Sequence, residues 1–330
     1  MMSGQMPGKN SEVWLITGGA GYIGSHIANE FLSNGKEVVI YDSLVRGLES
    51  RVRYLREKHD AEVPLEKSDI RDFQKFKDVL LRYKPIGIVH TAALKSVPES
   101  IANPTEYMDV NFGATKKILE IAIETGLNHF IFSSTAAVYA SPINAEAVAE
   151  SDPTSPISPY GKSKLLAERE VTNYLSETKN FGTSLRFFNV IGTSSRELED
   201  KSTENLFPIV KQMIANGRRP IIFGGDYPTP DGTCIRDFVD VRDVARAHLF
   251  VANHLGKLPN SLNIGTGTGV SVETILRKIN TFMGLPEFEF EIGPRRNGDP
   301  AILFADVSKI EETLAFKSIF NLDMSLKSLI

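Results

Sequence analysis

The sequence predicts an α/β protein: a doubly wound, parallel sheet with a smaller substrate lobe toward the carboxyl terminus. Three observations predict it. Short apolar, β-branched runs alternate with helical patterns over residues 13–187. A glycine triplet follows the first run and opens the first helix. Beyond Asn189 the alternation breaks, and the polar, turn-rich residues 194–205 read as the crossing into a second lobe.

Val13-Trp14-Leu15-Ile16-Thr17 is the first strand. It runs into Gly18, Gly21 and Gly24, and a helical pattern follows through His26, Ile27, Phe31 and Leu32. Glycines so placed permit a tight turn, close approach of a pyrophosphate to backbone N–H groups, and close helix–strand packing. Strand, triplet and helix together predict dinucleotide binding. Residues 36–41 form the second strand, and Asp42 follows at once. A carboxylate there accepts both ribose hydroxyls and repels a 2′-phosphate, favouring NAD over NADP. A loop-entry Asp is the plain alternative, and Arg46 nearby could tolerate a phosphate. A third strand around residues 63–66 leads to Asp69, which can bond an adenine amino group or cap the next helix. Residues 86–90 form strand four. The small residues after it let backbone approach a cofactor, with Lys95 in reach. One long helix is expected over residues 107–125, carrying Asn111 as either a solvated polar residue or a hydrogen-bond anchor. Strand five, residues 129–132, ends in Ser133-Ser134-Thr135. Thr135 is the candidate hydroxyl facing the ligand crevice at the carboxyl end of the sheet.

Pro159 then enters a helix bearing Tyr160 and Lys164, four residues apart and on one face. Free tyrosine has a pKa of about 10. A lysine ammonium at this spacing predicts a lowered value, and a cationic oxidised nicotinamide would lower it further. The pair therefore predicts a proton acceptor for a sugar or alcohol hydroxyl. Residues 183–187 are strand six, closed by Phe188 and Asn189. Downstream, Arg236 and the pair Arg295-Arg296 beside Asp299 form two local basic sites. They either converge on a diphosphate or make surface salt bridges to Asp237 and Asp299. A helix beginning at Asp240 is expected to pack back on the first domain. The pattern after Leu322 reads as a terminal helix, shortened or incompletely covered at Ile330.

Composition bounds these readings. Over 330 residues, 42% apolar and 24% charged suffices to bury a core. A net charge of −4 gives no general attraction to nucleic acid or an anionic membrane. The single cysteine, Cys234, allows no internal disulfide and fits a reducing cytoplasm. No apolar run of about 18 residues is present to span a bilayer, and residues 1–10 read as a loose polar leader. No metal-ligand spacing is seen.

Taken together, the motifs resemble the extended short-chain dehydrogenases/reductases (the NAD-dependent epimerase/dehydratase family), most closely the UDP-glucose 4-epimerase branch. They are Thr17-Gly18-Gly19-Ala20-Gly21-Tyr22-Ile23-Gly24, Ala93-Leu94-Lys95-Ser96-Val97-Pro98-Glu99-Ser100, Tyr160-Gly161-Lys162-Ser163-Lys164, residues 225–233 with Arg236-Asp237, and Arg295-Arg296-Asn297-Gly298-Asp299. The resemblance implies a Rossmann-type domain over residues 11–188 that holds NAD tightly, with 237–265 packing back on it. It implies a UDP-sugar lobe over 189–236 and 266–330, and a homodimer. It assigns Tyr22, Ile23, Asp42, Asp69, Ile70, Lys95, Asn111, Lys164 and Phe188 to cofactor contacts and Thr135 and Tyr160 to catalysis. Asn189, Asn205, Leu206, Phe223, Arg236, Arg296 and Asp299 fall to substrate. Thr135 replaces the usual serine, Phe187 a usual tyrosine, and Leu303 stands where a tyrosine or cysteine borders the sugar.

The activity so implied is reversible C4 epimerisation of UDP-glucose and UDP-galactose through a transient 4-keto sugar. UDP-N-acetylglucosamine or UDP-glucuronate are alternative substrates, and a non-catalytic NAD or nucleotide-sugar binder is the rival from another class. A 4,6-dehydratase lacks its acid here, because Ala136-Ala137 follow Thr135. A plain sugar reductase would instead release its oxidised product.

Overall fold

The computed structural model describes residues 12–140, 146–203, 205–254, 256–284, 289–296 and 298–330. The expected leader and Asn297 lie outside the described residues.

The first half alternates strand and helix: β1 (Val13–Thr17), α1 (Tyr22–Ser33), β2 (Glu37–Asp42), α2 (Glu49–His59), β3 (Leu65–Lys67), α3 (Phe73–Tyr83) and β4 (Gly87–His90). Two short helices follow, α4 (Val97–Ala102) and α5 (Pro104–Tyr107). A π-helical turn, Met108–Gly113, then joins α5 to α6 (Ala114–Thr125). The continuous helix expected over residues 107–125 is thus wound more widely around Asn111. After these come β5 (His129–Thr135), α7 (Pro159–Thr178) and β6 (Phe181–Phe187). The remainder holds β7 (Asn189–Ile191), α8 (Leu206–Ala215), β8 (Ile221–Phe223), β9 (Ile235–Asp240), α9 (Val241–Asn253), β10 (Ser261–Ile264), β11 (Gly269–Ser271), α10 (Val272–Phe282), β12 (Glu291–Gly293), β13 (Ile302–Leu303), α11 (Ser308–Leu314) and α12 (Leu322–Lys327).

Seven strands form one sheet in the order β10-β6-β5-β4-β1-β2-β3, and every pair in it is parallel. Side chains alternate across it: Trp14 and Ile16 join the core beneath α1, α2 and α9, whereas Val13 and Leu15 join the core beneath α3, α6 and α7. A sheet covered on both faces needs apolar residues on both, which is why its strands read as unbroken apolar runs. The Rossmann-type sheet is as expected; β10 forms one edge of it, and α9 packs beside α1 on one face. A separate core gathers Phe207, Phe238, Leu276 and Leu326 around β9, α8, α10 and α12; the last helix is short and buries Ser325 and Leu326, while Met324 stays exposed. Among the described residues no helix is long and apolar enough to cross a membrane.

One buried polar network ties α7 to the sheet. Arg186 on β6 donates to Glu168 on α7 (Nη2–Oε2 2.7 Å) and to the Tyr139 hydroxyl at 3.0 Å. Tyr139 donates onward to Asn263 Oδ1 at 2.6 Å, and Ser134 donates to Glu168 from β5. Both ionic partners are almost fully buried. Removing one side of a buried pair leaves an uncompensated charge and costs about 3–5 kcal/mol, whereas replacing both by apolar groups is often neutral. Glu168→Ala should therefore lower chemical-unfolding stability by about 3–5 kcal/mol. The double variant Glu168→Leu/Arg186→Met should recover most of the loss. Equal losses in the single and double variants would show that packing, not charge, sets the cost.

Candidate active site

The chain runs outward from β1 to β3, then returns to the other side of β1 to form β4. Loops leaving β1 and β4 therefore diverge, and a crevice opens between them at the carboxyl end of the sheet. This crevice is part of a cleft of about 1380 Å³ that extends over the β9–β13 lobe.

Its nucleotide side is built on the β1–α1 turn. Gly18 has φ +69°, and a Cβ there would lie 2.8 Å from Ala92 N; a Cβ on Gly24 would lie 2.2 Å from Gly18 O. Turn, helix and β4 loop approach so closely that only hydrogen fits. Gly21 caps α1 without a side-chain bond, so the N–H groups of the first turn, including Tyr22, Ile23 and Gly24, face the cleft as donors. This cradle and donor set fit the pyrophosphate of a dinucleotide. Asp42, at the end of β2, accepts from Ala20 N (3.0 Å) and Leu44 N (2.8 Å); burial raises its pKa and these bonds pull it back. Arg46 is turned to Glu99 at 2.5 Å. The Tyr22 hydroxyl donates to Gly192 O at 2.6 Å, pinning α1 to the end of β7.

Asp69 and Ile70 border the same cleft. The carboxylate of Asp69 accepts from Arg71 Nε and Nη2, at 2.9 and 2.8 Å. It does not cap α3; Asp72 does so, accepting from Lys75 N at 3.1 Å. Lys95 reaches Ser202 Oγ at 3.4 Å. Asn111 is buried behind the cleft wall and does not border it. Its amide instead holds Leu94 through N (2.8 Å) and O (2.9 Å), and donates to Ser163 Oγ at 3.1 Å. Of the two readings of Asn111, the anchor is the one the structure realises.

At the centre, Ser158 caps α7 by accepting from Gly161 N at 3.0 Å, with Pro159 in the first turn. This sets Tyr160 opposite Thr135, the last residue of β5, and the Thr135 hydroxyl bonds the phenol. Lys164 lies one turn below, buried, its Nζ 4.2 Å from the centroid of the Phe132 ring. The electrostatics correct the expected direction. Burial pushes the Tyr160 phenol above its ordinary value, with the Thr135 bond pulling it partly back. Burial likewise pushes Lys164 down to about 7, with Glu168 resisting. Both groups share one poorly solvated floor, which disfavours phenolate and ammonium alike. The four-residue spacing encodes their proximity but not this common desolvation.

On the lobe side, Phe188, Asn189, Asn205, Leu206, Arg236, Arg296, Asp299 and Leu303 all border the cleft. Asn205 donates to Asp200 Oδ2 at 2.5 Å. Phe223 does not border the cleft; it lies beneath the Arg296 guanidinium, 4.2 Å from ring centroid to cation. Arg236 is buried and donates to Asp299 Oδ1 (2.5 Å) and Pro300 O (2.7 Å). Asp237 is not its partner: that carboxylate accepts from the backbone of Thr266, Gly267 and Ala305. Arg295 turns away, stacking on Tyr227 and bonding Asp226. Leu303 pairs in register with Arg236 and packs on the cluster of Tyr139 and Phe188.

Sequence reasoning missed Arg51. It is buried, borders the cleft, and donates to Ala20 O (3.2 Å) and Glu199 O (2.7 Å), joining the glycine turn to the crossing between lobes. The signal was a cation beside Val52 and Leu55 on the buried side of α2. Among the described residues no cluster of three or more His, Cys, Asp or Glu is placed to hold a metal.

Comparison with known proteins gives one answer. The profile of the NAD dependent epimerase/dehydratase family matches residues 14–265. A UDP-glucose 4-epimerase of Halalkalibacterium halodurans is 37% identical over 92% of this chain and 90% of its own. The crystal structure of a UDP-glucose-4-epimerase from Stenotrophomonas maltophila, with bound NAD and formylated UDP-arabinopyranose, superposes with a TM-score of 0.90, at 33% identity and 97% coverage of both chains. The structure of the UDP-Glc/GlcNAc 4-epimerase of Campylobacter jejuni gives a TM-score of 0.82, at 35% identity, with 97% of this chain and 98% of its own covered. With the glycine cradle, the Tyr160–Lys164 pair and this similarity along nearly its whole length, the chain belongs to the NAD dependent epimerase/dehydratase family.

Proposed function

We propose that this protein is an NAD-dependent UDP-sugar 4-epimerase that interconverts UDP-glucose and UDP-galactose. The observation that carries the reading is that one cleft borders the glycine cradle, the Thr135–Tyr160–Lys164 centre and two arginines on the far lobe. The proposed division of labour follows that layout: residues 11–188 with 237–265 hold NAD, and 189–236 with 266–330 hold the UDP-sugar. The protein works as a cytoplasmic homodimer, a reading supported by its one cysteine, Cys234, being free and buried, and by the family resemblance.

NAD, which the glycine cradle and Asp42 would hold, would supply a hydride acceptor for C4 of the sugar and a positive charge that favours a Tyr160 phenolate. Tyr160 removes the proton of the 4-hydroxyl and later gives it back. Thr135 orients the reacting oxygen by its hydroxyl. Lys164 titrates near neutrality and can take up charge as the phenol loses its proton. Arg236 and Arg296 grip the diphosphate, so the 4-keto sugar turns over in the cleft without escaping. That remote binding energy holds the intermediate in place. Ala136 and Ala137 enter a 3₁₀ turn after Thr135 and carry no carboxyl, which speaks against a 4,6-dehydratase.

The direct experiment is to supply UDP-galactose without added NAD and follow UDP-glucose; no conversion by NAD-loaded protein would remove the reading. Tyr160→Phe should keep NAD and bind UDP-sugar while losing on the order of 100- to 10,000-fold in turnover; activity within about threefold of the parent would assign the base elsewhere. For the diphosphate, Arg296→Ala and Arg236→Ala should each weaken UDP by about 10- to 100-fold, since a charge-assisted bond contributes about 1.5–3 kcal/mol. Unchanged titration calorimetry in both would return them to structural ion pairing. For the sugar, Leu303 leaves room that a tyrosine would fill, so some conversion of UDP-N-acetylglucosamine is expected beside the main pair. Leu303→Tyr should suppress the N-acetyl reaction and largely spare the glucose reaction. Parallel loss of both would mean that Leu303 only packs the lobe.

A further inference from the structure

Behind the reacting pair runs a chain of buried polar groups that the mechanism above does not use. His90 ends β4. Its Nδ1 lies 2.7 Å from Thr17 Oγ1 on β1, and its Nε2 lies 3.0 Å from Thr115 Oγ1 on α6. The Thr115 hydroxyl donates to Asn111 O at 2.7 Å. The Asn111 amide donates to Ser163 Oγ, which donates to Tyr160 O at 2.8 Å. On the other side, Thr17 Oγ1 accepts from Ala92 N at 3.3 Å in the loop bordering the cleft. Thr17, His90, Asn111, Thr115 and Ser163 are all buried.

The directions of these bonds are determined. The Thr115 proton is committed to Asn111 O, so Thr115 Oγ1 accepts from His90, and Nε2 carries the ring proton. Nδ1 is then an acceptor, and Thr17 donates to it while accepting from Ala92 N. The other two fully buried histidines are the opposite tautomer. His26 and His248 each place Nδ1 2.8 Å from a carbonyl oxygen of their own helix, Tyr22 O and Val244 O. His90 also packs against Phe132, ring centroids 5.9 Å apart, the ring over which the Lys164 ammonium sits. A second cation there would be repelled, and burial with the Lys164 charge holds His90 down to about 3.

We propose that His90, as its Nε2–H tautomer, is a positioning residue for the reacting pair: through Thr115, Asn111 and Ser163 it fixes the first turn of α7, and through Thr17 it fixes the loop opposite. The inference rests on the epimerase reading for its kinetic test, and it has a second test that does not.

In NAD-loaded protein, His90→Leu should lower kcat on the order of 10- to 100-fold, the scale for a misplaced reacting group, with the KM for UDP-galactose unchanged. His90→Gln, which again offers one donor and one acceptor, should recover most of that loss. Adding Thr115→Val to His90→Leu should cost little more, because both break the same chain. A lower melting temperature with kcat unchanged per NAD-loaded site would reduce His90 to packing and overturn the proposal. Should His90→Leu fail to fold, Thr115→Val alone carries the kinetic test. Independently of any activity, ¹⁵N imidazole spectra, assigned by the signal lost in His90→Gln, should show His90 as Nε2–H and untitrated between about pH 5 and pH 9. His26 and His248 should show Nδ1–H. An Nδ1–H signal for His90, or titration within that window, overturns the proposal even if the protein epimerises nothing.

Discussion

The reversal of strand order between β1 and β4 is the constraint on which the rest depends. Parallel strands cannot be joined by tight turns, so each pair requires a crossover, and the helices must cover both faces. Where the crossovers change direction, no connection can cover the strand ends. The backbone there must end in loops whose N–H groups are satisfied by a ligand, by water or by each other. The glycine turn after β1 and the small residues after β4 occupy that gap, and β5 delivers Thr135 beside it.

A second constraint acts across the sheet. The floor of the crevice is poorly solvated, yet it holds a phenol, a lysine amine and an imidazole. Burial favours each neutral form; Thr135 pulls Tyr160 and the Glu168 charge pulls Lys164 part of the way back, while Thr17 and Thr115 hydrogen-bond His90. A site kept neutral in this way responds strongly to any charge brought into it, because little water is present to screen the charge. The Glu168–Arg186 network keeps a full ion pair close by without exposing it, so α7 is anchored by charge at one turn and poised at the turn before.

Much of this was legible in the sequence because it is local. The strand-triplet-helix order, Asp42 after the second strand and the Tyr160–Lys164 spacing each lie within a few residues of one element, and the cleft brings them together. What sequence could not supply depends on long-range burial. The spacing of Tyr160 and Lys164 gave their proximity but reversed the sign of the protonation argument. Asn111 and Phe223 carry motif positions that suggest ligand contact, yet one anchors Leu94 and the other supports Arg296. The π-helical turn has no periodic signature over so few residues. Arg51 was passed over because a cation on a helix is ordinarily solvated, and only the arrival of Glu199 from a distant part of the chain buries it.

The pairing of Arg236 with Asp299 has a consequence for how the cleft releases what it binds. A guanidinium buried without a partner would hold a diphosphate very tightly, and an enzyme that must let go of its product gains nothing from such a grip. Asp299 already neutralises part of that charge and accepts from the nitrogen that also holds Pro300 O. Under the proposed reading, an incoming diphosphate would compete with this resident carboxylate, and a departing one would leave behind a cation that pairs again with Asp299. In that reading the ion pair would be a standing counterweight, bearing on how long a nucleotide stays as well as where it sits.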